Sequence, residues 1–273
     1  MVDDGDIDEA QASGEVARIY GDILEVGGYG SVPLLFRRLA VRADCLGWAW
    51  SLLRPGYLHG AMTRLAAGLP LHPPAVVPIA APLLQAQGLS VAQLRQARDI
   101  TRAFNAANPK NLLAARVVSR AAATAEVPDW GDAAAPDAPR AEIPRLPEPV
   151  SLDSLTAEAR ALLDWLSSTG GRRPTPLMPT LYRMLAQDMS LLTLIASRLD
   201  PLFADGTVER VAGALQARAD ALCGRLEVTR GPALSTGASR FVVAATQPFH
   251  AKVAEMLAVG AVICALLSEV PEV

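Results

Sequence analysis

Apolar residues recur along most of this chain at intervals of three and four. Val16, Ile19, Tyr20, Ile23 and Leu24 form one such stripe, and Leu155, Ala159, Leu162, Leu163 and Leu166 form another. This spacing lays one face of a helix against a core. Ala and Leu dominate, β-branched runs are rare, and no alternating run is bounded by hairpin residues. Helix starts are expected at Ser90 before Val91, at Ser151 with Ser154, and at Pro201 as a first-turn residue. Stops are expected at Gly27-Gly28, Gly88 and Gly170-Gly171. The expected class is all-α. The most apolar stretch, residues 256–267, reads as a buried helix too short to span a bilayer.

Between residues 126 and 150 the pattern breaks. Pro128, Pro136, Pro139, Pro144, Pro147 and Pro149 fall in this one stretch, which favours an extended, stiff connector. The sequences on either side match. Pro33 to Ala40 sets over Pro179 to Ala186 at an offset of 146, and the register continues ungapped: Leu46 meets Leu192, Leu53 meets Leu199, Pro55 meets Pro201, Gly60 meets Gly206 and Arg64 meets Arg210. Nearer the start and the end of each half the offset is 142, which puts Asp22 on Asp164 and Asn108-Pro109-Lys110 on His250-Ala251-Lys252. The organisation read from this is an acidic tail at 1–13, a helical repeat at 14–125, the linker at 126–150 and a second helical repeat at 151–270. Two tandem homologous repeats are expected to pack as an intramolecular pseudo-dimer, because each has an apolar face to cover. A small-molecule site is expected in the crevice between them.

The chain has 273 residues, half of them apolar, and its 25 basic and 28 acidic side chains nearly balance. No basic surplus exists to track phosphates, so nucleic acid is not expected as a partner. Cys45, Cys223 and Cys264 are odd in number and form no CxxC, which reads as buried, reduced thiols. The acidic opening MVDDGDIDEA is unlike a secretory signal, so a cytoplasmic protein with no membrane partner is expected. A homodimer is left open.

The segments SVPLLFRRLAVRADCLGWAW, FNAANPKNLL, IPRLPEPV and TPLMPTLYRMLAQDMSLL, taken with the internal repeat, make the chain resemble the group I 2-haloacid dehalogenase family over nearly its full length. The resemblance implies an all-α pseudo-dimer without metal or organic cofactor. In that family an Asp, assisted by an Asn, activates a water that displaces the halide directly. The family's Asn carries over to Asn108. Its Asp precedes an aromatic-Arg pair, here Tyr182-Arg183, and the residue in that place is Leu181. A leucine accepts no proton, and the neighbouring Thr180 hydroxyl is far too weak an acid to serve as the base alone. Asp164 and Asp188 are the nearest carboxylates in sequence. The chain therefore reads as a divergent member, with Asn108, Thr180, Tyr182 and His250 as the candidate ligand-binding set.

Other features compete with that set. His59, His72 and His250 lack metal-ligand spacing. His250, which the repeat places on Asn108, is a candidate base near neutral pH or a histidine satisfied by backbone. Arg37 and Arg183 occupy equivalent places and could hold a carboxylate bidentately or pair with Asp44, Asp188 or a helix end. Lys110 and Lys252 pose the same choice. Trp48 and Trp50 cannot share a helix face. Gly27-Gly28-Tyr29-Gly30 reads as a flexible turn, and Ser235 lacks a hydrolase elbow. Two functions follow: hydrolysis of a small carboxylic acid derivative by a relocated base, His250 or a carboxylate from elsewhere, or non-catalytic binding of an anionic or apolar small molecule. Carboxymuconolactone decarboxylase-like helical proteins share the Pro-x-x-aromatic-Arg-x-Leu-Ala opening, but their redox members need a CxxC that this chain lacks.

Overall fold

The structure is a computed structural model that describes residues 5–80, 84, 87–131, 146–175 and 177–270. The central part of the proline-rich linker lies outside the described residues. The protein is all-α: α1 (Gly14–Gly27), α2 (Leu34–Leu39), α3 (Ala43–Leu58), α4 (Ala61–Ala67), α5 (Val91–Thr124), α6 (Ala157–Ser167), α7 (Thr180–Leu185), α8 (Met189–Ala204), α9 (Thr207–Cys223) and α10 (Thr236–Leu266). One antiparallel ribbon, β1 (Glu126–Pro128) with β2 (Val228–Arg230), was not legible, because three residues carry no alternation to read. The element bounds keep the sequence offset: α2 and α7 start 146 positions apart and are six residues each, and α3 and α8 start 146 apart and are 16 residues each.

Two compact units divide the chain, one of residues 1–70, 109–145 and 215–253, the other of 71–108, 146–214 and 254–273. These do not coincide with the sequence halves, since α5 and α10 each contribute residues to both units.

In the first unit, Ile19, Tyr20, Ile23 and Val26 of α1 are buried at helical spacing. Asp22, on the same helix, accepts from Trp50 Nε1 and Arg54 Nε of α3, both at 2.6 Å. The Arg54 hydrogen bond holds the Asp22 carboxyl below its usual range. Its repeat mate Asp164 instead pairs along its own helix with Arg160 at 3.1 Å, because Ala196 and Asp200 stand where Trp50 and Arg54 would be. Trp50 is in the core, edge-on to Phe36 at 5.8 Å, while Trp48 is half-buried and donates to the Pro232 carbonyl at 3.3 Å.

In the second unit, one apolar cluster joins Leu163 and Leu166 of α6, Leu181 and Leu185 of α7, Leu192, Ile195 and Leu199 of α8, and Val259, Val262 and Leu266 of α10. The six leucines that recur between the repeats, Leu39, Leu46, Leu53, Leu185, Leu192 and Leu199, are at most 2% exposed.

Several element boundaries differ from expectation for local reasons. Ser90 does cap α5: its hydroxyl accepts from Gln93 N at 3.2 Å while the Gln93 side chain accepts from Ser90 N at 2.9 Å, a reciprocal capping box. α6 begins after Thr156, whose hydroxyl accepts from Ala159 N at 3.2 Å, and not at Ser151, which precedes a single 3-10 turn. Pro201 is interior to α8, rather than at a first turn, and its repeat mate Pro55 is interior to α3, each one turn from the helix end. α10 runs for 31 residues through Pro248, much longer than the apolar stretch alone suggested. By length and composition it could cross a membrane, yet 78% of its most apolar window is buried inside the protein, as in a core helix.

Candidate functional site

The turn after α1 is anchored rather than flexible. Gly28, at φ 63°, closes the helix in the left-handed region that suits glycine. Tyr29 is buried, and its hydroxyl shares a 2.7 Å hydrogen bond with that of Tyr57. Arg37 does not pair with Asp44. It is buried against the acidic N-terminal segment, in an ion pair with Asp6 and 3.5 Å from Asp8, while Ile7 N donates to Arg37 O at 3.1 Å. Its counterpart Arg183 donates from Nε to Val150 O at 3.0 Å, and Val150 N donates back to Arg183 O at 3.3 Å. Each arginine thus ties down the chain that leads into its own repeat.

The four residues of the sequence-predicted ligand set fall on three helices, α5, α7 and α10. Thr180 opens α7 and is half-buried; Asn108 is buried within α5 and engaged with neighbours. His250, on α10 in the first unit, is half-buried. Burial lowers its pKa below 6.5, against the opposing effect of a hydrogen bond with the Ala115 backbone. Its Nε2 is buried with no hydrogen-bond partner among the described residues. A histidine whose pKa is depressed by folding stabilises the fold fully above its unfolded value and loses that contribution as pH falls through its folded value. Thermal stability should therefore decline below about pH 6.5. A His250→Gln variant, melted at a series of pH values, should show a shallower decline in that window.

Leu181 is 1% exposed, in the apolar cluster of the second unit, so the residue in the expected base position is core. Neither sequence-adjacent carboxylate replaces it. Asp164 is exposed and bound to Arg160. Asp188 caps α8, accepting from Leu191 N at 3.0 Å and from Gln93 Nε2 at 2.6 Å. It borders a surface pocket of about 140 Å³ that Gln93, Gln96, Met184 and Gln187 also line.

A different carboxylate stands in the same unit. Glu255 of α10 is 8% exposed and accepts a 2.9 Å hydrogen bond from the hydroxyl of Thr169, which is itself buried in the turn after α6. Thr169 holds φ 55°, unusual for a non-glycine residue, so this turn presents its hydroxyl from a conformation the backbone seldom adopts. Tyr182, the residue after Leu181, is fully buried, and its hydroxyl has no hydrogen-bond partner among the described residues. Burial, and then the negative charge of Glu255, push its pKa well above the ordinary 10.0, so it stays a neutral O–H donor. The repeat mate of Glu255 is the buried Leu113, so the carboxylate belongs to one half only. Sequence reasoning missed it. The available signal was an acid, with Lys252 nearby, in an otherwise apolar helical run.

Chemically the group comprises a proton acceptor, a hydroxyl that orients it and an uncommitted donor. Among the described residues no group of three or more His, Cys, Asp or Glu is placed to hold a metal ion. Cys45, Cys223 and Cys264 are free thiols, and burial pushes the first two up to about 11.

The architecture defines a haloacid dehalogenase-like fold. The chain is similar to a D-2-haloacid dehalogenase mutant with D-2-CPA, at 19% identity and TM-score 0.81 over 96% of this chain and 95% of that one. It is similar to a D-2-haloacid dehalogenase with L-LA at 19% identity and TM-score 0.81, covering 96% of both chains. A third structure, of a D-2-haloacid dehalogenase mutant, gives 18% identity and TM-score 0.80 over 96% of this chain and 95% of the other. No protein-family model and no curated protein sequence matches the chain.

Proposed function

We propose that this protein is a divergent dehalogenase-like hydrolase of small carboxylic acid esters, cofactor-independent, with Glu255 as its general base. The observation that carries this reading is the buried Glu255–Thr169 hydrogen bond at 2.9 Å beside an unpartnered Tyr182 hydroxyl, in a chain whose expected base position is the core residue Leu181. Glu255 takes a proton from water as the water oxygen attacks the carbonyl carbon. The carbonyl π electrons move to oxygen, where the Tyr182 O–H donates to the developing charge. Collapse then expels the alkoxide, which receives the proton from Glu255. A halide displacement at a saturated carbon puts its developing charge on the departing halide and forms no oxyanion. Acyl hydrolysis does, and this supports an ester over a haloacid as substrate. Thr169 and Tyr182 are at most 1% exposed and Glu255 is 8% exposed, so substrate entry requires covering side chains to move.

The test is release of 4-nitrophenolate from 4-nitrophenyl propionate by the purified chain. Saturable turnover is expected. A second reading, non-catalytic binding of a small anionic or apolar molecule, is favoured by how deeply Leu181 and Tyr182 are packed. Complete inactivity towards short-chain esters would support that reading and remove the first.

A further inference from the structure

The contacts that hold residues 6–9 are unequal on their two sides. One side belongs to the core of the first unit: Tyr20 of α1, Val32 ahead of α2 and Arg37 of α2 are at most 4% exposed. The other side is superficial, since no residue from 5 to 13 is buried. Between them the Tyr20 hydroxyl donates to Ile7 O at 2.8 Å, and Val32 N donates to the Glu9 carboxylate at 2.7 Å. Ile7 N donates to Arg37 O at 3.1 Å, while the Arg37 guanidinium pairs with Asp6 and lies 3.5 Å from Asp8.

The segment is thus held by hydrogen bonds and ion pairs. Its apolar side chain, Ile7, is only half-buried. Charged contacts near a surface are screened by salt and contribute little net stability. Departure of the segment uncovers polar groups and leaves the apolar core closed. Arg37 is also incompletely served. Both acids meet its Nη2, and its buried Nε has no hydrogen-bond partner among the described residues. A carboxylate set side-on takes Nε and Nη2 together, the bidentate arrangement that suits a guanidinium. In the repeat mate Arg183 the Nε is already used, donating to Val150 O at 3.0 Å.

We propose that Tyr20, Val32 and Arg37 form a docking site for an acidic peptide segment of a partner protein, which the chain's own residues 6–9 fill in its absence. A free carboxylate or phosphate would engage chiefly the arginine. A peptide fits better, because the Tyr20 hydroxyl and the Arg37 carbonyl both bind main-chain groups of the present occupant. The tethered segment has the advantage of a high effective concentration. A partner acid that reaches Nε side-on gains an interaction the tethered segment lacks, and can compete. The proposal is independent of Glu255 and of the hydrolytic reading.

The test uses the full-length chain carrying Asp6→Asn, Asp8→Asn and Glu9→Gln, which removes the acids that fill the site. Fluorescein-labelled GDIDEAQ, the sequence of residues 5–11, is the probe in anisotropy titrations at low salt. Saturable binding is expected, about tenfold or more tighter than to the unaltered chain, whose site is open only while its own segment is away. The same peptide with Asn and Gln in place of its acids should not bind. The proposal is overturned if the folded variant binds the acidic peptide no more tightly than the neutral one, or no more tightly than the unaltered chain does. Should the variant fail to fold, amide hydrogen exchange in the unaltered chain decides. A large excess of the acidic peptide should speed exchange at Ile7, displaced from Arg37 O, while Val32 stays protected by the incoming acid. Exchange at Ile7 unmoved by the peptide would overturn the proposal.

Discussion

Glu255→Gln should lower ester turnover by about 10²–10⁴-fold, the range a positioned general base supplies. The substitution is nearly isosteric, and the amide oxygen can still accept from Thr169, so the packing of α10 against the turn after α6 is retained. What is lost is the capacity to take a proton from water. The loss should appear in kcat more than in KM, because the missing interaction belongs to the transition state. Tyr182→Phe, which removes only the oxyanion donor, should cost on the order of 10²-fold. A Gln variant with undiminished turnover would clear Glu255 of any role in catalysis.

Leu53→Ala and Leu199→Ala should each destabilise the protein by about 2–5 kcal/mol. Both leucines are fully buried, in α3 and α8, so truncation forfeits the transfer free energy of the missing methyl groups and opens a cavity. Cooperative unfolding in urea, monitored by circular dichroism, measures the cost as a lower midpoint at unchanged slope. Their equivalent places in the repeat suggest similar values. A change below about half a kilocalorie at either site would place these residues outside the load they are assigned here, since surface positions are the ones that change so little.

The leucines were legible because helical periodicity and the internal repeat both marked them. Leu39, Leu46 and Leu53 recur every seven residues, and the same register returns 146 positions later. The Ser90 cap was legible because a serine directly precedes Val91, the first residue of α5. Features that depend on distant parts of the chain were not. Glu255 and Thr169 are 86 positions apart, so nothing local joins them. Asp188 looked like a spare carboxylate until the hydrogen bonds from Leu191 N and Gln93 committed it to capping. The acidic opening looked like a tail, but Asp6 and Asp8 meet Arg37, and the Tyr20 hydroxyl donates to Ile7 O at 2.8 Å. The sequence halves are likewise not the compact units, because a helix's period says where it buries a face, not which segment covers it.

This chain pairs a haloacid dehalogenase-like fold with a leucine at position 181, and the proton acceptor proposed for it, Glu255, stands elsewhere. Halide release from 2-chloropropionate of either hand, followed by chloride-selective electrode, tests it most directly. Direct displacement needs a base within hydrogen-bond reach of the attacking water. Leu181 offers none, and an asparagine such as Asn108 can orient water but cannot take its proton. The proposed base, Glu255, stands beside a hydroxyl donor suited to a carbonyl oxygen rather than at position 181. No chloride above the enzyme-free rate is expected from either enantiomer. Robust chloride release by the unaltered protein would contradict it.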